Sequence, residues 1–128
     1  MPQFKGHKLC VEWGQQADKT FDVSIKQIQP DRRNSAKAQL RALIEQLANS
    51  GRLKSPEQFR NEGDGFYAIR TKIGLRAYGW FANKKNGVSV KGLFAISHFI
   101  KKKKDKLDPR DKALMIRSRQ RYEQQGID

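Results

Sequence analysis

The sequence predicts an α+β fold in which a small antiparallel β-sheet packs against an N-terminal helix and a C-terminal helix. Two observations predict it. Between residues 34 and 51, apolar residues recur every three or four positions, which is the period of an amphipathic helix. Between residues 66 and 100, three strand-like runs follow one another with turn residues between them. The chain has 128 residues, 37% of them hydrophobic, and this size suits a single domain over residues 1–128.

The first 28 residues predict two strands. Apolar residues alternate with polar ones from Lys8 to Trp13 and again from Phe21 to Ile28, and a polar segment separates the two runs. The two strands could pair as a hairpin. Residues 1–20 then supply either an extra strand or an N-terminal extension.

The next element is the predicted helix, which should end at Gly51 because glycine is the favoured residue after a last helical turn. Its apolar face consists of Ala36, Leu40, Leu43, Ile44, Leu47 and Ala48. The segment around Ser55-Pro56-Glu57 predicts either a short turn of helix or an ordered loop.

A three-stranded meander follows, over about Phe66 to Thr71, Leu75 to Ala82 and Val88 to Phe99. Gly74 and Asn86-Gly87 suit the two tight turns because these residues tolerate a positive φ. A terminal helix then begins after Asp108, a favoured N-cap residue, with proline at its first position, and runs to about Gln124.

Charge indicates the class of partner. Lys and Arg number 27 against 13 Asp and Glu, so the net charge is +14, which favours binding to a polyanion, with nucleic acid first and an acidic protein second.

Cys10 is the single cysteine and the two histidines are His7 and His98, so neither an intrachain disulfide nor a closed zinc site is expected. No run of about 18 apolar residues occurs, so we expect a cytoplasmic protein with no membrane partner.

Two arginines on neighbouring predicted strands are candidate phosphate ligands. Arg70 and Arg76 flank the turn at Gly74, and a tight turn places them near the same end of the sheet, where two guanidinium groups could grip one phosphate. The alternative is that each arginine pairs with a carboxylate such as Glu62 or Asp64, or is solvated.

The end of the last strand carries further candidates. His98 precedes a run of four lysines, whose charge could keep its imidazole neutral enough to accept a proton, although a lone histidine is more often a packing or surface residue. The lysines are either a phosphate track or a solvated charge run. The candidate RNA-binding residues are Lys102, Lys103, Lys104, and three residues on one side of the terminal helix, Arg110, Arg117 and Arg121.

These pieces, in this order, resemble the RelE/ParE superfamily of bacterial toxins, and most closely its HigB-like and phage-encoded branch. The resemblance covers about Phe21 to Tyr122. It is carried by the helix Leu40 to Gly51, by Asp64-Gly65-Phe66-Tyr67-Ala68-Ile69-Arg70, by Leu75-Arg76-Ala77-Tyr78, by Ser97-His98-Phe99-Ile100-Lys101-Lys102, and by the proline-started helix with Ala113 and Arg119. The resemblance implies a small antiparallel sheet with two helices before the meander and a third after it.

The resemblance also implies an activity, namely cleavage of messenger RNA on the ribosome without metal or other cofactor, held in check by an antitoxin protein. Arg70 and Arg76 would contact the scissile phosphate, and His98, Lys101 or Tyr78 would transfer protons while the RNA's own 2′-hydroxyl attacks. The alternatives are a non-catalytic relative that inhibits gyrase or a host protein, and a basic nucleic-acid-binding module.

Overall fold

The structure, a computed structural model, describes residues 3–102 and 107–126. A six-stranded mixed sheet has the strand order β1-β2-β6-β5-β4-β3 and lies between two helices on one face and one helix on the other. The elements are β1 (Gln3–Lys5), β2 (Cys10–Trp13), α1 (Gln15–Lys26), a single 3₁₀ turn (Pro30–Arg32), α2 (Arg33–Ser50), β3 (Phe59–Gly63), β4 (Phe66–Arg70), β5 (Leu75–Lys85), β6 (Val88–Lys101) and α3 (Pro109–Gln125).

Apolar side chains project from both faces of the sheet and form two hydrophobic cores. On one face, Leu47 of α2 and Ile25 of α1 pack with sheet residues such as Ile69 and Phe94. On the other face, Met115 and Tyr122 of α3 pack with Phe66, Ala68, Tyr78, Trp80 and Ala95. The central strands β4, β5 and β6 are therefore buried on both sides, which explains their nearly continuous apolar sequences.

The predicted α+β class is confirmed, as are the C-terminal helix, α2 and the meander turns. Gly51 ends α2 in the left-handed conformation, with φ of 75° and its N–H bonded to the Leu47 carbonyl at 2.7 Å. Gly74, Asn86 and Gly87 have φ values of 91°, 49° and 76° at the two predicted turns.

The strand predicted from Phe21 to Ile28 is wrong, because this segment is the second half of α1. Its alternating pattern is also compatible with a helix, since Ala17, Phe21 and Ile25 are four residues apart and lie on the core side. Val23, which a strand would place beside Phe21 and Ile25, is instead 58% exposed. The predicted hairpin with β2 is therefore absent.

Three strands extend the antiparallel meander in ways that the sequence did not predict. The N-terminal β2 pairs with β6 in parallel, with Cys10 opposite Leu93, and β1 pairs with β2 to form the sheet edge, so the sheet is mixed. At the other edge, β3 replaces part of the predicted loop or helical turn. The ring of Phe59 in β3 stacks on Tyr67 of β4 with ring centroids 4.7 Å apart.

Replacing the N-cap of α3 should destabilise the fold. The Asp108 carboxylate accepts a hydrogen bond from the Arg110 N–H at 2.8 Å, which satisfies one of the free donors of the first helical turn. We expect Asp108→Ala to lower the free energy of unfolding by about 1 kcal/mol, and Asp108→Asn, which retains a capping oxygen, to lower it by much less. Urea denaturation of the three proteins measures this, and equal losses for both variants would contradict the capping role.

Candidate functional site

The ends of three adjacent strands bring cations together at one end of the sheet. Arg70, the last residue of β4, is the direct pairing partner of Arg76 in β5. Lys101 of β6 pairs with Leu75, and the Lys102 N–H bonds to the Gly74 carbonyl at 2.8 Å. With Lys72, which lies in the turn between β4 and β5, these residues form a group that we call the strand-end cations: Arg70, Lys72, Arg76, Lys101 and Lys102.

The strand-end cations do not all lie on one face of the sheet. Arg76 alternates with Ala77 and shares the α3 face with Tyr78, whereas Lys101 pairs with Leu75, which packs on the α1 and α2 face. The Lys101 ammonium lies over the β4–β5 turn, 3.0 Å from the position that a Cβ would take at Gly74. The predicted grouping of Lys101 with Arg76 and His98 is therefore not found, because the sheet separates them.

The two arginines are paired in register but contact different groups. The Arg70 Nη1 donates to the Pro56 carbonyl at 3.1 Å, near the surface, while Arg76 is only 5% exposed and lies beside the Tyr78 hydroxyl. Glu62 and Asp64 each have a cationic neighbour. Glu62 lies 3.4 Å from Arg60 Nε, and Asp64 lies 3.0 Å from Lys112 Nζ.

His98 is buried in a polar chain that joins β6 to α3. Its Nε2 lies 2.9 Å from Asp111 Oδ1, and its Nδ1 lies 2.9 Å from the Ser97 hydroxyl, which in turn bonds to Ser118 of α3 at 2.9 Å. Because an ionised carboxylate only accepts hydrogen bonds, this arrangement places a proton on Nε2. The histidine is only 3% exposed, so it is a packed residue as well as a candidate acid or base.

A β-bulge allows consecutive residues of β6 to reach α3. Tyr78 pairs with His98 but the next residue, Gly79, pairs with Ile96, so Ser97 is an extra residue in the strand. In a regular strand Ser97 and His98 would point to opposite faces. Here both make hydrogen bonds to α3.

Tyr78 completes the group beneath α3. Its side chain is fully buried, its ring centroid lies 5.3 Å from that of His98, and burial raises the pKa of its hydroxyl. The Arg76 guanidinium partly offsets this rise in pKa, while Asp111 and Glu62 add to it. We call Arg76, Tyr78, His98 and Asp111 the buried polar group. Arg76 can stabilise negative charge that develops on a phosphate, and Asp111 orients His98 for proton transfer. Both functions are needed in phosphoryl chemistry.

The sequence did not indicate which residues of α3 contact the buried polar group. Asp111, Met115, Ser118 and Tyr122 form the inner stripe of α3, at the three- and four-residue spacing of a helix face. That spacing is visible in the sequence, but three of the four residues are polar and did not indicate a buried face. Glu12 was missed for the same reason. It is 5% exposed, accepts a hydrogen bond from the Tyr122 hydroxyl and pairs with Lys85 at 2.9 Å.

The predicted cationic side of α3 is its outer face. Arg110, Arg117 and Arg121 are all exposed, and Arg110 lies 4.0 Å from Asp108. Lys102, in contrast, has a buried ammonium with no hydrogen-bond acceptor among the described residues. The predicted RNA-binding residues Lys103 and Lys104 lie outside the described residues.

Within residues 3–102 and 107–126, no three His, Cys, Asp or Glu side chains are grouped so that they could hold a metal ion. None of the helices in this part of the chain is both long enough and apolar enough to span a membrane.

A comparison with protein-family models, with curated proteins and with solved structures finds no match to this chain. The resemblance to the RelE/ParE superfamily thus rests on the residues quoted for it.

The buried tyrosines predict an unusual alkaline titration. Burial raises the pKa of Tyr78, and burial with the hydrogen bond to Glu12 raises that of Tyr122 more strongly, from an ordinary value of 10.0. Because the unfolded chain releases these protons near pH 10 and the folded chain retains them, folding stability is complete below pH 10 and falls as the pH rises above it. We expect Tyr78→Phe to leave the native titration at 295 nm near pH 10 unchanged, and to make unfolding less dependent on alkaline pH. A loss of native phenolate signal near pH 10 in this variant would contradict the burial of Tyr78.

Proposed function

We propose that this chain is the toxin of a toxin–antitoxin pair, a cytoplasmic endoribonuclease that uses its own side chains to cut messenger RNA on the ribosome. The observation that supports the proposal most directly is the meeting of the strand-end cations with the buried polar group. One end of the sheet attracts a phosphate, and Arg76 leads from that end to Tyr78 and to the His98–Asp111 pair.

Binding follows from charge. Within the described residues, no ion pair joins Lys72, Lys101 or Lys102 to a carboxylate. The buried ammonium of Lys102 has no protein acceptor there, and an unsatisfied buried cation is costly. A phosphate oxygen supplies both the negative charge and the missing acceptor, which favours a nucleic-acid backbone over an uncharged ligand.

Cleavage would follow the RNA's own chemistry. The 2′-oxygen attacks the adjacent phosphorus while its proton passes to a base. The bond from phosphorus to the 5′-oxygen then breaks as that oxygen receives a proton, leaving a 2′,3′-cyclic phosphate and a free 5′-hydroxyl. In this proposal Arg76 stabilises the charge on the phosphoryl oxygens, and Tyr78 and His98 exchange the protons. Lys101, on the other face, and Arg70, at the rim, bind the RNA backbone.

The buried polar group is covered by α3, so cleavage requires that α3 be displaced when substrate binds. Many of the contacts that hold α3 are polar. Lys112 pairs with Asp64, whose pKa it lowers, and Arg119 donates to the Asp64 carbonyl at 2.9 Å and lies over the Phe66 ring. Polar contacts near the surface exchange readily with water and with phosphate, so their loss costs little. Met115 and Tyr122 also pack in the apolar core beneath α3, so phosphate binding has to offset the loss of these contacts as well.

The same burial favours a second candidate function, RNA binding without cleavage. Arg76, Tyr78 and His98 are each less than a tenth exposed, and His98 has a partner on both nitrogens. In this second proposal the buried polar group only holds α3 to the sheet, and the strand-end cations bind the RNA.

Substitutions in the buried polar group should separate the two candidates. In a reconstituted translation system, primer extension on a defined messenger should show cuts by the wild type. Arg76→Met, which preserves volume, should reduce the cleavage rate by about 10²- to 10³-fold by removing the charge. Tyr78→Phe should reduce it by about 10²- to 10⁴-fold if the hydroxyl moves a proton.

The matched control is Tyr67→Phe. Tyr67 stacks on Phe59 on the opposite face of the sheet, so this variant should cleave RNA at the wild-type rate. Thermal unfolding of each variant shows whether the fold is intact. Absence of cuts by folded wild type, with RNA bound at saturation, would overturn the endoribonuclease proposal and leave the binding function.

The displacement of α3 can be tested by fixing the helix to the sheet. The hydroxyls of Ser97 and Ser118 are 2.9 Å apart, so Ser97→Cys with Ser118→Cys, in a Cys10→Ser background, places two thiols across this contact. We expect the oxidised variant to bind RNA but not to cut it, and the reductant to restore cleavage. Ser118→Cys without its partner serves as the control, and undiminished cleavage by the oxidised double variant would show that α3 need not move.

A further inference from the structure

Two grooves flank the β4–β5 turn on the α1 and α2 side of the sheet. The first, which we call the α1 groove, lies between α1 and the end of β6 and has a volume of about 340 Å³. The second, the α2 groove, lies between α2, the turn and the segment before β3, and has a volume of about 620 Å³. Both are distinct from the buried polar group, which lies beneath α3 on the other face.

The charged residues that line the two grooves are mostly cations. Lys19 and Lys101 line the α1 groove, and no carboxylate is among the described residues that line it. Lys54, Arg70 and Lys72 line the α2 groove, where Glu57 is the one acidic residue among the described lining residues. The grooves therefore contribute five cations against one carboxylate, and such a surface attracts a polyanion.

Lys101 lies between the two grooves. It lines the α1 groove, and its ammonium rests over Gly74 in the turn that borders the α2 groove. Gly74 has φ of 91°, and a Cβ there would lie 2.5 Å from the Lys102 carbonyl, so the turn can approach the end of β6 this closely only with glycine. The cations thus follow one path from α1 across the turn to α2.

We infer that a single strand of RNA lies along this path, with its phosphates on the five cations of the α1 and α2 grooves. Single strands are bound in recessed, positively charged grooves that follow the backbone, and their bases contact neighbouring side chains. The α1 groove offers such contacts in the amides of Gln16 and Gln27 and in Val23, which is 58% exposed. This inference rests on the RNA-binding part of the proposed function and is independent of cleavage.

The path differs from the one that the sequence predicts along the terminal helix. Arg110, Arg117 and Arg121 lie on the outer face of α3, which is on the opposite side of the sheet from both grooves. RNA in the α1 and α2 grooves enters the end of the sheet from the side of Lys101, so the outer face of α3 is not needed for binding.

Binding of a fluorescently labelled single-stranded 12-nucleotide RNA tests the inference. The probe carries 2′-O-methyl groups throughout, because these prevent attack by the 2′-oxygen and separate binding from cleavage. We expect Lys19→Gln/Lys72→Gln/Lys101→Gln to weaken binding about tenfold or more at moderate salt. The slope of log K against log salt should fall in magnitude by about 2, since each lost phosphate contact removes about 0.7.

The matched control is Lys5→Gln/Lys84→Gln/Lys91→Gln, which removes the same charge from exposed lysines on the first strand and on the far hairpin. This variant should bind within about twofold of the wild type. Equal losses in the two triple variants would overturn the inference, because only net charge would then matter. Normal binding by the groove variant, with a loss in Arg110→Gln/Arg117→Gln/Arg121→Gln, would also overturn it and assign the RNA to α3.

A duplex of the same length gives the last discrimination. Tighter binding of the single strand supports the inference, and tighter binding of the duplex contradicts it. Failure of the proposed cleavage is distinguishable from either result, since the 2′-O-methyl probe reports only binding and the translation assay reports only cuts.

Discussion

Strand β6 is the constraint on which the rest of the structure depends. It pairs with β5 on one side and in parallel with β2 on the other, and between Phe94 and Phe99 its residues are buried on both faces. The α1–α2 layer packs on one face of it and α3 on the other. A strand in this central position has no freedom to shift its register, because a slip by one residue would exchange the side chains that face the two cores.

This rigidity matters for function because β6 also carries the chemistry. The bulge at Ser97 turns two consecutive polar residues towards α3, and the end of the strand delivers Lys101 and Lys102 beside the β4–β5 turn. Arg76 and Tyr78 are fixed beside them by regular antiparallel pairing. The site is therefore positioned by the sheet, and α3, held by polar contacts and by the packing of Met115 and Tyr122, separates the buried polar group from solvent.

Elements whose apolar residues recur with a single spacing, or whose turn and cap residues are unambiguous, could be predicted from the sequence. The α2 stripe, the glycine and asparagine turns and the Asp108-Pro109 helix start each follow from local rules that tertiary packing did not override. Phe21 to Ile28 could not be assigned, since a four-residue spacing and an alternating pattern coexist there and only the exposure of Val23 decides between them. The parallel pairing of β2 with β6 could not be predicted either, because the paired residues, such as Cys10 and Leu93, are far apart in the chain and leave no local signal.

The site was predictable only in part. The pairing of Arg70 with Arg76 follows from a tight turn at Gly74, and the structure contains it. The burial of Arg76, the separation of Lys101 from His98 and the Asp111 partner all depend on which face each residue takes and on what covers that face. A bulge reverses the facing of residues after it, and no single-sequence pattern marks Ser97 as the extra residue.

That extra residue makes the length of β6 as important as its composition. Deleting one residue from the regularly paired segment between Leu93 and Ile96 would let the strand return to strict alternation at the bulge. Serine and histidine would then lie on opposite faces, and one of them would enter the apolar layer beneath α1. Insertions and deletions between Leu93 and Ile96 are thus far less tolerable than substitutions. Length variation in related sequences should be confined to the β5–β6 hairpin, to the irregular pairing between residues 89 and 93, and to the turns.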